Sequence, residues 1–340
     1  MAPRLKSILQ YVAIFGITIL LIYLSLRGLK VGEGENKWDY LNRTWQSAHK
    51  GWLIAMALLS IVSHLLRAER WRMLLAPVGF NPKLSHSFLS LGVGYLINLV
   101  IPRGGEISRC YNLYKLDKIP VIESFGTVVV ERIVDLICLI LLIAISFAFE
   151  STKLIAFIET LPIEFSGGSK LRTVLFLGMG LLIVVLLGYW LIKKNKKLKQ
   201  IIQKTWNGFK TGILSVFKLK NKTTFIVYSV LIWLLYFCMT YTVLKAFPST
   251  SLLGFTAVLS LFAIGAIAMA APLPGGTGSY HVLVPQGLFF LYQVPLSDAV
   301  AFTFIFHGWQ TIVFILLGVV SLLVTSIIVK RNDKQSRTEN

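Results

Sequence analysis

Two acids and a base stand inside an otherwise apolar stretch of this chain: Glu131, Arg132 and Asp135, within residues 125–149. An ionised side chain at the centre of a membrane span costs roughly 2.5–3.5 kcal/mol on insertion scales, so three in one run need a reason. Glu131 and Asp135 are i,i+4 neighbours and Arg132 is i,i+3 from Asp135, which gathers the cluster on one helical face. Counted from residue 125, Glu131 lies roughly 9 Å and Asp135 roughly 15 Å along the helix. Two acids against one base leave a negative excess that calls for cations. The chain offers Arg103 and Arg109 on either side of Glu106, and Arg67 and Arg70 one helical turn apart. If the acids orient these arginines, free guanidinium donors remain for an anionic headgroup, because the planar fork binds phosphate oxygens in pairs. An ion-pair network that only locks helices together is the competing reading, and a mixture of the two stays open.

Two breaks interrupt apolar segments: Pro102-Arg103-Gly104-Gly105-Glu106 and Pro274-Gly275-Gly276-Thr277-Gly278. Gly104 and Gly105 suit backbone N–H donation to a phosphate at a helix start, although the lysine and Ser/Thr of a P-loop are missing. No G-x-S-x-G, nucleotide-binding or D-x-D-type pattern is present, so no catalytic residue is assigned. Five histidines without H-x-x-x-H spacing argue against a catalytic metal, and no cofactor is expected. His281 and His307 read as core histidines rather than a proton relay. Cys110, Cys138 and Cys238 are widely separated and read as small buried hydrophobes.

The elements that must position these groups are membrane spans. Of 340 residues, 55% are hydrophobic and 14% charged, with a mean hydropathy of +0.72. Apolar runs matching the roughly 30 Å hydrocarbon core recur at 8–26, 51–66, 125–149, 172–192, 223–247 and 299–329. Segments 84–101, 252–273 and 279–294 are ambiguous. The expected fold is all-α, a polytopic helix bundle of six to eight spans with at least one re-entrant hairpin. The first run is too long for a signal-peptide core and reads as an uncleaved span. A net charge of +19 would suit nucleic acid, but the basic residues sit in short loops and no nucleic-acid motif accompanies them.

Loop charge sets the orientation. The stretch 193–222 is rich in lysine and free of acids, and the loop after Arg67 and the tail from Lys330 are basic, so all three are expected in the cytoplasm. The acidic stretch 150–171 faces outside. With 67–83 and 107–124 both inside, segment 84–101 must enter and return. The 252–294 region then begins and ends outside, as a hairpin or as two coupled spans. Breaks entered from opposite sides suggest an inverted repeat and point to a transporter's binding site; two unrelated glycine-dependent loops remain the alternative. The expected organisation is one membrane domain over 1–330, with halves of about 1–192 and 223–330. A cytoplasmic interfacial segment, 193–222, joins them, and 331–340 forms a cytoplasmic tail. Within that segment Ile201, Thr205, Trp206, Phe209, Ile213 and Phe217 share a face suited to an anionic leaflet.

The run from Gly94 to Asp135 (GYLINLVIPRGGEISRCYNLYK…SFGTVVVERIVDL), with APLPGGTGSYHVLV at 271–284 and RAERWRMLL at 67–75, resembles the flippase-like membrane domain of lysylphosphatidylglycerol synthases. The resemblance implies a domain that moves an aminoacylated lipid between leaflets, with aminoacyl transfer done by a separate cytosolic domain. The chain stops about ten residues after the last span, so synthase activity is not expected to carry over.

The favoured expectation is therefore a protein of the inner membrane, with both termini cytoplasmic, that binds or translocates an anionic or phosphate-containing lipid. Arg67, Arg70, Arg103, Gly104, Gly105, Glu106, Arg109, Pro274, Gly275, Gly276 and Gly278 are the candidate headgroup contacts, beside the Glu131, Arg132 and Asp135 cluster. Two alternatives differ in class. One is a membrane transferase on a lipid-linked donor with Glu106 or Asp135 as base; the other is an accessory protein holding a glycosyltransferase or other lipid-synthesis partner.

Overall fold

The computed structural model describes residues 36–160, 206–271 and 273–338, together with Gly16, residues 19–20 and 22–26, and Leu29. The expected span 172–192, most of the span 8–26 and residues 193–205 of the lysine-rich 193–222 segment lie outside the described residues. Among the described residues there is no strand: the chain is an all-α bundle.

After a short helix α1 (Lys37–Ser47), one pattern occurs twice. In the first half a long helix, α2 (Lys50–Leu75), leads into a hairpin of α3 (Leu84–Asn98) and α4 (Gly104–Asp117), followed by a second long helix, α5 (Val121–Thr160). In the second half α6 (Lys222–Ala246) leads into α7 (Phe255–Ala270) and α8 (Ser279–Tyr292), then α9 (Leu296–Thr338). The separation between Lys50 and Lys222, which open α2 and α6, also parts Pro102 from Pro274 at the two hairpin turns. The packing repeats as well: α2 lies against α6, α3 against α9, and α7 against α5.

The equivalent helices α2 and α6 run antiparallel. His49 N–H, at the start of α2, donates to the Ala246 carbonyl at the end of α6 at 2.7 Å. At the other end Arg70 reaches Ser229 Oγ at 3.3 Å, and Leu74 packs with Phe225. An antiparallel pair of equivalent elements is what an inverted repeat produces.

Length separates the hairpin arms from the long helices. Lys50–Val78, Lys222–Ala246 and Leu296–Asn332 are long and apolar enough to cross a membrane by length and composition. The arms of 15, 14, 16 and 14 residues rise only about 21–24 Å each, short of the roughly 30 Å core.

The first hairpin turns back where α3 and α4 cross at glycine. A Cβ on Gly94 would lie 2.9 Å from the Gly105 carbonyl oxygen, so two backbones touch here. Asn98 Oδ1 accepts from Gly105 N–H at 2.7 Å and closes the turn. Arg103 enters α4 in the left-handed region at φ 63°. The return arm is thus 104–117, which sequence reading assigned largely to a cytoplasmic loop. Its polar residues face protein: Asn112 Nδ2 donates to Ser90 Oγ at 3.1 Å and Thr325 Oγ1 at 3.2 Å. A polar helix at this depth is tolerated because neighbours satisfy it.

The 252–294 region, left open between a hairpin and two spans, is also a helical hairpin. Its turn is a 3₁₀ turn at Pro274–Gly276, with positive φ at Gly275, Gly276 and Gly278. Only glycine takes such a succession without strain. The hairpin tips meet: Arg103 Nη2 donates to the Ala270 carbonyl at 2.8 Å, and a Cβ on Gly275 would lie 3.0 Å from Leu99 Cδ2.

Three boundaries differ from expectation. α2 runs on past residue 66 to Leu75, so Arg67 and Arg70 lie buried in its last turns rather than in a loop. α5 continues beyond residue 149 to Thr160, with non-helical backbone at Glu150. There the Glu150 carboxylate accepts from Ser260 Oγ at 2.9 Å, from Lys153 Nζ at 3.1 Å, and from the Tyr292 hydroxyl. The carboxylate at the break thus ties α5 to α7 and α8. The expected tail from 331 is helical as far as Thr338.

Residues 206–214 form a helix that docks on the start of α5, where a Cβ on Gly212 would lie 2.7 Å from Gly126 Cα. Ile213 turns inward while Trp206 and Phe217 remain exposed. Ile201 and Thr205 of the expected face lie outside the described residues.

Candidate functional site: a buried guanidinium–carboxylate cluster

Glu131, Arg132 and Asp135 of α5 face the end of α2 and the first turns of α4. Glu131 is fully buried and accepts from three arginines: Arg67 Nη2 at 3.0 Å, Arg70 Nη2 at 3.4 Å and Arg109 Nη2 at 2.8 Å. Asp135, one turn on, accepts from Arg70 Nη2 at 2.7 Å. Its other oxygen stands 3.7 Å from both Arg67 Nη2 and Arg132 Nη1. Arg132 Nε faces Glu106 Oε1 at 3.4 Å.

Sequence-expected residues from three elements therefore converge: Arg67 and Arg70 on α2, Glu106 and Arg109 on α4, and Glu131, Arg132 and Asp135 on α5. Among the described residues four guanidinium groups meet three carboxylates, which leaves one positive charge over. In a low-dielectric interior such an array persists only when its members are paired and hydrogen-bonded. Pairing is incomplete. Among the described residues, the buried Nε atoms of Arg67, Arg70, Arg109 and Arg132, Arg109 Nη1 and Glu106 Oε2 have no hydrogen-bond partner. Buried polar groups are nearly always satisfied, and open guanidinium donors beside an excess cation are chemically suited to the oxygens of an anion.

Aromatic side chains that sequence reading did not single out wall the cluster. The Arg109 guanidinium lies over the Trp71 ring at 4.7 Å, and Trp71 Nε1 donates to Thr127 Oγ1 at 2.9 Å. Arg67 Nη1 donates to the Tyr236 hydroxyl at 3.3 Å and sits 5.8 Å from the Tyr95 ring. Tyr95 in turn packs on His64 at 4.4 Å. Tyr236 carried a signal: it stands at the same separation from His64 as Lys222 does from Lys50, so the repeat brings it to the mouth of the arginines.

Three groups of candidates take other positions. Arg103, in the left-handed region, binds the second hairpin by donating to the Ala270 carbonyl. The amides of Gly104 and Gly105 are engaged inside the hairpin, by the Ile101 carbonyl at 2.9 Å and by Asn98. Pro274, Gly275, Gly276 and Gly278 build the second tip. There Gly276 N–H donates to the Leu273 carbonyl at 3.1 Å, and Gly278 N–H donates to His281 Nδ1 at 3.3 Å. This tip meets the first tip through Arg103 and Leu99.

The repeat places His281 where the first half has Arg109, and His307 where it has Asp135. The two rings stand 4.8 Å apart, and His307 Nε2 lies 3.1 Å from the Gly275 carbonyl. The second half therefore keeps the architecture without the permanent charge.

Comparison with known proteins shows the family of the chain. The UPF0104 membrane protein MJ1595 of Methanocaldococcus jannaschii is 34% identical over 87 residues, which is 25% of this chain and 26% of that protein. The matched stretch thus spans about a quarter of the curated relative. No solved structure matches. The sequence profile described as the lysylphosphatidylglycerol synthase TM region matches residues 7–318, nearly the whole length of a chain built from apolar helices. This chain is a membrane protein belonging to the lysylphosphatidylglycerol synthase transmembrane-region family.

Proposed function

We propose that this chain binds a lipid through an anionic, phosphate-containing headgroup and passes it between the leaflets of the cytoplasmic membrane. The observation that carries the reading is the buried cluster with one guanidinium in excess and open donors on Arg109. A phosphodiester supplies the missing negative charge and the missing acceptor oxygens together. Arg109 is the principal contact, because Glu131 takes only its Nη2 atom.

The inverted hairpins support movement rather than binding alone, since opposed short hairpins of an inverted repeat form the midplane sites of secondary transporters. The residues act as one membrane domain, with the lysine-rich segment and both termini on the cytoplasmic side. That orientation rests on the charge bias of the loops.

A leaflet assay in proteoliposomes tests the proposal. Fluorescently labelled phospholipids are expected to exchange between leaflets faster with wild-type protein than with Arg109→Gln. Equal exchange in wild type, Arg109→Gln and protein-free vesicles, across anionic and zwitterionic lipids, would overturn it.

A further inference from the structure

Glu106 stands apart among the carboxylates of the cluster. Glu131 and Asp135 have every oxygen within ion-pair distance of an arginine. Glu106 offers Oε1 to Arg132 at 3.4 Å, while Oε2 is buried without any hydrogen-bond partner among the described residues. A buried ionised oxygen with no donor is costly, and native structures leave such an atom open mainly where something else is meant to fill it.

Its position says what that is. Glu106 and Arg109 are i,i+3 neighbours on α4, so their side chains emerge side by side on one face. That face is turned toward α5, where Arg132 and Glu131 meet them. Arg109 carries open donors at Nε and Nη1, while Glu106 carries an open acceptor. A ligand filling both must bring an anionic oxygen and, a few bonds away, a hydrogen-bond donor. A bare phosphate ester satisfies only the first.

Resting on the reading of the cluster as a headgroup site, we propose that Glu106 selects the headgroup. It accepts a hydrogen bond from a hydroxyl or N–H group attached beyond the phosphodiester, so the site favours lipids whose headgroup carries such a donor. Arg109 binds the phosphodiester whatever it is attached to; Glu106 distinguishes the group on its far side.

Two short-chain lipids of equal charge isolate this. Phosphatidylglycerol carries headgroup hydroxyls, and phosphatidylmethanol carries none. Binding to the full chain in detergent is read by native mass spectrometry. A hydrogen bond to a charged acceptor corresponds to about ten-fold or more in affinity, so wild type is expected to prefer phosphatidylglycerol by at least that ratio. Glu106→Gln and Glu106→Ala each raise the net charge of the cluster by one. Both are expected to hold phosphatidylmethanol more tightly than wild type while the preference for phosphatidylglycerol shrinks, nearly to parity in Glu106→Ala. Equal binding of the two lipids by wild type overturns the role of Glu106 and leaves the headgroup site standing. Parallel weakening of both lipids in the Glu106 variants overturns it too, by showing a carboxylate that only positions Arg132. Failure of wild type to bind either lipid removes the headgroup site itself.

Discussion

Arg109 on the return arm of the first hairpin donates Nη2 to Glu131 at 2.8 Å, and both side chains are almost completely withdrawn from solvent. The bond joins a helix too short to cross a membrane to one that is 40 residues long. Three arginines converge on the one carboxylate, so Glu131 is the centre of charge balance rather than one member of a chain of equal pairs.

The first prediction comes from that convergence. Glu131→Gln leaves three guanidinium groups facing an uncharged amide, and removing one partner of a buried ion pair costs about 3–5 kcal/mol. Asp135→Asn should cost less, because Asp135 is 19% exposed and Glu131 remains. Thermal unfolding in detergent should rank the melting points as wild type, Asp135→Asn, then Glu131→Gln. Adding Arg109→Gln to Glu131→Gln should recover part of the loss, as coupled sites do. Equal melting points for the two acid variants would remove Glu131 from the centre.

A second prediction concerns the two arginines that flank Glu106. Arg103 holds the hairpin tips together and Arg109 holds the charge cluster, so their substitutions should separate. Arg103→Ala gives up one exposed hydrogen bond, worth about 0.5–1.5 kcal/mol. Leaflet exchange should slow while phospholipid binding persists; Arg109→Gln should lose binding itself. Loss of binding in Arg103→Ala to the same degree would return Arg103 to the headgroup site.

The third prediction tests the crossing that creates the hairpin. A Cβ on Gly105 would fall 2.5 Å from Asn98 Nδ2 and also against the Gly94 carbonyl. Backbone cannot yield as a flexible side chain does, so Gly105→Ala should destabilise by about 1–3 kcal/mol. Gly51→Ala has open space around it and serves as the control. A melting point for Gly105→Ala equal to that of Gly51→Ala would mean that the two helices do not touch there.

Much of this arrangement was legible because membranes penalise charge and broken backbone. The cost of burying Glu131, Arg132 and Asp135 drew attention to them, and the two proline–glycine breaks marked both hairpin turns. The return arm was harder to read. Residues 104–117 are too polar for an apolar segment, and spacing alone does not reveal that Arg109 meets Glu131 while Asn112 meets Ser90 and Thr325. The place of Arg103 beside the break was visible, but its contact with the Ala270 carbonyl, 167 residues away, was not. Nor does spacing show that Glu150, just past the expected end of α5, meets Ser260 and Tyr292, more than a hundred residues away.

The last prediction addresses how the two hairpins enter the membrane. Their arms are shorter than the hydrocarbon core and their tips meet at Arg103 and Ala270. Equivalent helices α2 and α6 run antiparallel, so the hairpin after α2 and the hairpin after α6 should open toward opposite faces. Lys118 ends the return arm of the first hairpin. Leu252 precedes the first arm of the second and is 95% exposed. With Cys110, Cys138 and Cys238 replaced, Lys118→Cys and Leu252→Cys should react with a membrane-impermeant thiol reagent from opposite sides. The loop-charge bias puts Lys118 on the cytoplasmic side and Leu252 outside. Labelling of both from one side would dissolve the inverted pair, and with it the reason to expect headgroups to pass from one leaflet to the other at this junction.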